Sequence, residues 1–254
     1  MIKFFRQIRQ RMIKENRVSK YLLYAIGEIV LVVIGILIAL QINTWNEQRK
    51  LADQETMYLE RLLSENKLDI ETFSMSIQNL EIGNETIVAM SAAMKNVSSP
   101  DTSLIKSVND FMAKGSIYPV FTSSSSTFDD LSSTGNLKVI ANTGLREDLV
   151  KHYAKHNETD KWIRVAVDWA LPLDAPFTVE NNAMAFEPHT AFLYPDRSVE
   201  SMAEDLRANR LSYISNAAAH LWINMDAIEK LHELSYATSI LVGKLEVELN
   251  ERGK

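Results

Sequence analysis

Residues Tyr21 to Ile42, YLLYAIGEIVLVVIGILIALQI, carry a single charge. At about 1.5 Å of rise per residue such a run, coiled as a helix, crosses the ~30 Å hydrocarbon core of a bilayer. The run is longer than the apolar region of a signal peptide, and it ends in Gln41-Ile42-Asn43-Thr44-Trp45 without an A-x-A cleavage site. A buried core helix seldom stays apolar all round over this length. The expectation is an uncleaved membrane anchor.

Charge then sets the orientation. Lys3, Arg6, Arg9, Arg11, Lys14, Arg17 and Lys20 precede the span, against Arg49, Lys50 and Arg61 in the comparable stretch after it. Lys and Arg near a span favour the inner side, so the N-terminus is expected in the cytoplasm and the remainder outside. Tyr21 and Tyr24 at one end and Trp45 at the other fit the aromatic belts of the two interfaces. From Asn43 onward there are 20 basic and 31 acidic residues, a balance that argues against nucleic acid as a partner. Phe5, Ile8 and Met12 recur at helical spacing among cations, which suggests a surface helix on the inner leaflet. The expected organisation is a cytoplasmic basic segment over 1–20, a transmembrane helix over 21–42 and a helical periplasmic domain over 43–254.

Within the span, Glu28, Gly35 and Ile42 repeat every seven residues, and Gly35 with Ala39 forms a small-xxx-small pair. Small residues let a second helix approach closely, and an ionisable group in lipid needs a partner. Glu28, Gly35 and Ala39 are therefore the expected membrane-helix contact, with a second copy or another membrane protein as partner beside the lipid. Leu63, Ile70 and Ile77 continue the seven-residue phase outside. They favour either parallel self-association or packing on the chain's own C-terminal helix.

The outer part lacks cysteine and is poor in glycine and proline, so stability must come from packing of an all-α domain. Leu59, Leu63, Asn66, Ile70, Phe73, Ile77, Leu80, Asn84, Ile87, Ser91 and Met94 follow spacings of 4 and 3, a heptad seam on a long helix. The membrane helix is expected to run into it as one element from about Tyr21 to Asn96, with Gly83-Asn84 as its weak point. Asn66 and Asn84 either set register or face water. Short helices are expected near Leu104–Met112, after Ser123–Ser126, whose hydroxyls suit N-caps, and over Asn136 to Ala141 behind a C-cap at Gly135. Leu145, Leu149, Tyr153, Ile163 and Val167 outline a helix stopped near Pro172. Pro172 to Pro195 holds four of the six prolines and reads as a long irregular connection. Leu211 to about Glu251 is helical again, and antiparallel packing on the first long helix would return the C-terminus towards the membrane.

The opening Met1-Ile2-Lys3-Phe4-Phe5-Arg6, the membrane stretch Ala25 to Asn46 and the later Ser132-Ser133-Thr134-Gly135-Asn136-Leu137 resemble an uncharacterised group of single-pass membrane proteins of Bacteroidetes bacteria. The resemblance is close over the first 50 residues and looser beyond. It implies a bacterial inner-membrane location and supplies no catalytic residue.

Chemistry is sparse. His152 and His156 stand one turn apart, as zinc sites require, with Glu158 and Asp160 beyond, but a third ligand at fixed offset and an H-E-x-x-H pattern are missing. They are the candidate metal pair, although two surface histidines are the plainer expectation. Ser64-x-x-Lys67 and Ser103-x-x-Lys106 match a serine–lysine spacing without its partner motifs. Phosphate-loop, dinucleotide and nucleophile-elbow patterns are absent from the sequence. No cofactor and no catalytic residue is assigned. The expected function is a non-catalytic membrane-anchored scaffold or accessory subunit. The alternatives are a periplasmic ligand sensor acting through a partner, and an oligomeric pore.

Overall fold

The computed structural model describes residues 18–252; the surface helix expected over the first 17 residues lies outside them. All regular elements among the described residues are helical. They are α1 (Val18–Lys95), α2 (Asp101–Asp110) closed by a π-turn (Phe111–Gly115), α3 (Ser126–Ser133), α4 (Thr143–Glu180), α5 (Val199–Ala208) and α6 (Arg210–Arg252). The chain divides into two compact units, Met1–Thr56 and Met57–Lys254.

In the first unit every residue from 26 to 50 is exposed. A Cβ at Gly35 would meet nothing within 4 Å. None of the most apolar stretch is buried, and the helix is long and apolar enough to cross a membrane.

The second unit is a bundle around three long helices. Lys67 meets Glu246 at 2.6 Å and Asn224 donates to Asn84 at 3.0 Å, so α6 runs antiparallel to α1 as expected. Lys244–Asp148 and Lys155–Glu233 set α6 antiparallel to α4 as well. One core cluster joins Tyr58, Leu59 and Leu62 to Leu149, Tyr153, Leu241 and Leu245. A second joins Phe73, Ile77 and Leu80 to Ile163, Ala227, Leu231 and Leu234, and a third packs Ile87, Met90 and Met94 against Phe111, Leu206 and Tyr213.

The seam departs from a strict heptad in an informative way. Leu59, Asn66, Phe73, Leu80, Ile87 and Met94 are buried as expected, or nearly so. Between them the structure buries Leu62, Asp69, Gly83 and Met90, while Leu63, Ile70, Asn84 and Ser91 are only half-buried. A helix wedged between two others buries a face wider than the a/d stripe of a two-helix seam. Leu63 and Ile77 also pack inside the chain's own clusters, which leaves those positions of the seven-residue phase engaged without a second copy.

Gly83 does not break α1. Its missing side chain admits the π-turn: a Cβ there would stand 2.9 Å from the Lys114 carbonyl oxygen. At Gly115 a Cβ would meet the Phe111 ring and Thr86 Oγ1 at 2.7 Å each and Ile87 Cγ1 at 3.0 Å. Gly115→Ala should therefore cost about 1–3 kcal/mol through overpacking. Thermal unfolding of that variant should show a clear drop; an unchanged midpoint would mean that the turn shifts freely.

The stop expected at Pro172 is also corrected. α4 contains Pro172 and Pro176 and continues to Glu180. A proline removes one helical hydrogen bond and crowds the preceding turn. Both prolines face solvent, whereas Asp174 and Phe177 between and beyond them are held from the inner side. Phe177 meets Tyr213 edge-on at 5.0 Å, and Asp174 is bound by three side chains described below. Irregular backbone starts at Asn181, with Asn182 left-handed at φ 49° and two short 3-10 turns following.

Candidate functional site

The inner face of α4 brings together the polar groups that an apolar bundle should exclude. His152 is 6% exposed and His156 3%, so the surface placement expected for them is wrong. They lie one turn apart on the buried stripe that also carries Leu149, Tyr153 and Ile163. Their Nε2 atoms face each other at 2.9 Å. Burial lowers the His152 pKa to about 4, helped by Lys155, and that of His156 to about 3, helped by His152. The pair is neutral near pH 7, one imidazole donating and the other accepting. His156 Nδ1 is buried and has no protein partner. As a metal pair they lack company: no set of three or more His, Cys, Asp or Glu among the described residues is placed to hold an ion. Asp160 instead pairs with Arg164 at 2.7 Å, and Glu158 is exposed.

Two polar residues of α1 face the same region. Asn66 donates to the Leu62 carbonyl at 2.8 Å and to the Tyr153 hydroxyl at 3.1 Å, so it marks register across α1 and α4. Asp69, 2% exposed, accepts from Ser124 N–H at 2.7 Å with Oδ1, while its Oδ2 is buried without a partner. Burial raises its pKa to about 6; the Ser124 bond opposes this and Glu65 adds to it. The strict heptad selects Ile70 and so passes over Asp69. The signal was available in the 3–4 spacing Leu62, Asn66, Asp69, Phe73, which places a carboxylate on the core face.

The serine-rich loop is tied by its hydroxyls to α1 rather than by a cap within its own helix. Glu65 Oε1 accepts from Ser126 Oγ at 2.6 Å and Thr127 Oγ1 at 2.7 Å, and Oε2 accepts from Thr127 N–H at 3.3 Å. Ser125, the expected type of N-cap, donates instead to Asp129 at 2.7 Å. Beneath this loop lies a cavity of about 320 Å³ walled by Phe121, Phe128, Tyr153 and His156, with Asp129 and Asp160 among its polar groups. Phe128 stacks on Tyr153 at 4.3 Å between ring centres; Phe121 and Tyr153 meet His156 at 6.0 and 5.1 Å.

A second polar knot sits further along α4. Asp174 accepts from Tyr118 at 2.5 Å and Asn216 at 2.6 Å and lies 3.1 Å from His220 Nε2. Burial alone would raise its pKa, but the bonds from His220, Tyr118 and Asn216 prevail and lower it. The knot joins the 116–125 loop, α4 and α6. Neither Asp174 nor His220 is marked by the sequence pattern, because their meeting is long-range.

The contact residues expected in the membrane helix, Glu28, Gly35 and Ala39, are all exposed. So are Val165, Trp169, Leu173, Trp222 and Met225 on α4 and α6, with Trp169 and Trp222 in an edge-on pair at 5.5 Å.

A family model for proteins of unknown function, DUF6090, matches residues 28–159, and the chain belongs to that family. The matched span takes in Asp69, Tyr153 and both buried histidines. No curated protein and no solved structure matches the chain.

Proposed function

We propose that this protein is a membrane-anchored, non-catalytic interaction protein of a bacterial inner membrane, of the single-pass Bacteroidetes type, with a helical periplasmic domain. The observation that carries the reading is the apolar helix that its own fold leaves bare. An apolar surface of this size costs free energy in water at roughly 25 cal/mol per Å² and is relieved only by lipid or by a partner. The basic residues before the span assign the inner side to the N-terminus. The exposed tryptophan and aliphatic surface of α4 and α6 suits a protein partner. Close approach at Gly35 and Ala39 suits a second copy or another membrane helix.

Alkaline phosphatase fused after Lys254 should be active, and the chain should resist extraction from membranes at high pH. An intact but inactive fusion would reverse the topology. A second reading, a periplasmic sensor acting through a partner, is favoured by the cavity beneath the serine-rich loop.

A further inference from the structure

We propose that the cavity between the Phe121–Ser125 loop, α3 and α4 is a binding site for a small organic cation bearing an ammonium group. Four ring-bearing side chains, Phe121, Phe128, Tyr153 and His156, form its walls. Aromatic faces attract cations through their quadrupole, most strongly where water is reduced. The lining contains two carboxylates, Asp129 and Asp160, and neither lysine nor arginine. Asp160 is already engaged by Arg164, which leaves Asp129 as the principal charge at the mouth. Behind the wall, Glu65 and Asp69 add to the negative field: with Asp129 they oppose ionisation of the Tyr153 hydroxyl, on top of its burial.

The histidine in the wall does not cancel this field. It stays neutral near pH 7. An anion would find no lysine or arginine in the lining, and the N-terminus of α3 that borders the cavity is already met by the Glu65 and Asp129 carboxylates. The rim is set before any ligand arrives, because Glu65 and Asp69 tie down Ser124, Ser126 and Thr127. A preformed site loses little affinity to ordering. The proposal deepens the sensor reading and is independent of the anchor reading, since binding requires no particular topology.

The test is calorimetric titration of the full chain in a maltoside detergent with choline, with its uncharged isostere 3,3-dimethyl-1-butanol, and with acetate. Saturable choline binding is expected, with the alcohol weaker by roughly tenfold or more and acetate inert. Glycerophosphocholine in parallel separates a lipid headgroup from a free solute; binding of either compound supports the site. Phe121→Ala should weaken binding by a similar factor. Should that variant lose its fold, Asp129→Asn, at an exposed position, still decides the matter. No saturable choline binding, equal affinity for the neutral alcohol, or unchanged affinity in a folded Asp129→Asn variant would overturn the proposal.

Discussion

Tyr153→Ala should destabilise the helical bundle by about 3–5 kcal/mol, the cost of deleting a fully buried aromatic side chain. Tyr153 is 2% exposed, stacks on Phe128 and sits in the cluster with Leu59, Leu62 and Leu245. The loss extends beyond packing, because Asn66 Nδ2 would lose its partner across α1 and α4 inside a dry core. Tyr153→Phe separates the two contributions: the ring stays and only the hydroxyl goes, at about 1–3 kcal/mol. Thermal unfolding of the full chain followed by near-ultraviolet circular dichroism measures both. A Tyr153→Ala midpoint no lower than that of Tyr153→Phe would contradict the packing account.

Acidification from pH 6.5 to 4 should unfold the bundle progressively, and the pair His152–His156 should dominate. Both imidazoles have folded pKa values, about 4 and about 3, below the ordinary 6.5. In this window the unfolded chain binds two protons that the folded chain refuses, so stability falls as pH falls. Asp69 has the opposite sign. Its folded pKa of about 6 lies above the ordinary 3.8, so between these values the folded state holds the extra proton and gains stability on acidification. Two histidines against Asp69 leave a net loss of at most about 1.4 kcal/mol per pH unit between pH 6 and 4, because Asp226, whose pKa burial also raises, adds to the Asp69 side. His156→Phe removes one histidine from an aromatic setting of Phe73 and Phe121, and the dependence in that window should become nearly flat. Asp69→Asn removes the opposing carboxylate, and its slope should be about twice that of the wild type. A His156→Phe variant as acid-sensitive as the wild type would place the titration elsewhere.

The legible part of the fold was the part governed by local periodicity. The apolar run, the long first and last helices and their antiparallel packing follow from spacings of 3 and 4 and from the scarcity of glycine and proline. The expectation failed where one helix meets two neighbours at once. Asp69 in place of Ile70, and Met90 in place of Ser91, became buried because a second packing partner widens the face that α1 must hide. α5 went unforeseen, being a ten-residue helix held by Ser198 at its start and by Arg207 against Asp101 and the Ser99 carbonyl of a distant segment.

The candidate site was legible only as isolated residues. The sequence marked His152 and His156 through their spacing, and the spacing does put their rings together. What it did not convey is that the ring pair lies inside the bundle, since α4 is mixed enough in polarity to leave its inner face ambiguous. Asn66, Asp69, Tyr153 and the serine-rich loop belong to three segments spread over more than eighty residues, and only tertiary packing brings them together around one cavity. The same holds at Pro172 and Pro176. Local chemistry predicts a stop there, yet α4 runs through both prolines, with Asp174 between them bound by three distant side chains. By itself, then, the sequence determined the helical class, the exposed apolar span and the pairing of the long helices, because each is set by periodicity along one chain segment. The buried polar cluster and the cavity above it were decided by the tertiary structure, because hydrogen bonds between distant segments and the exclusion of water exist only once the helices have met.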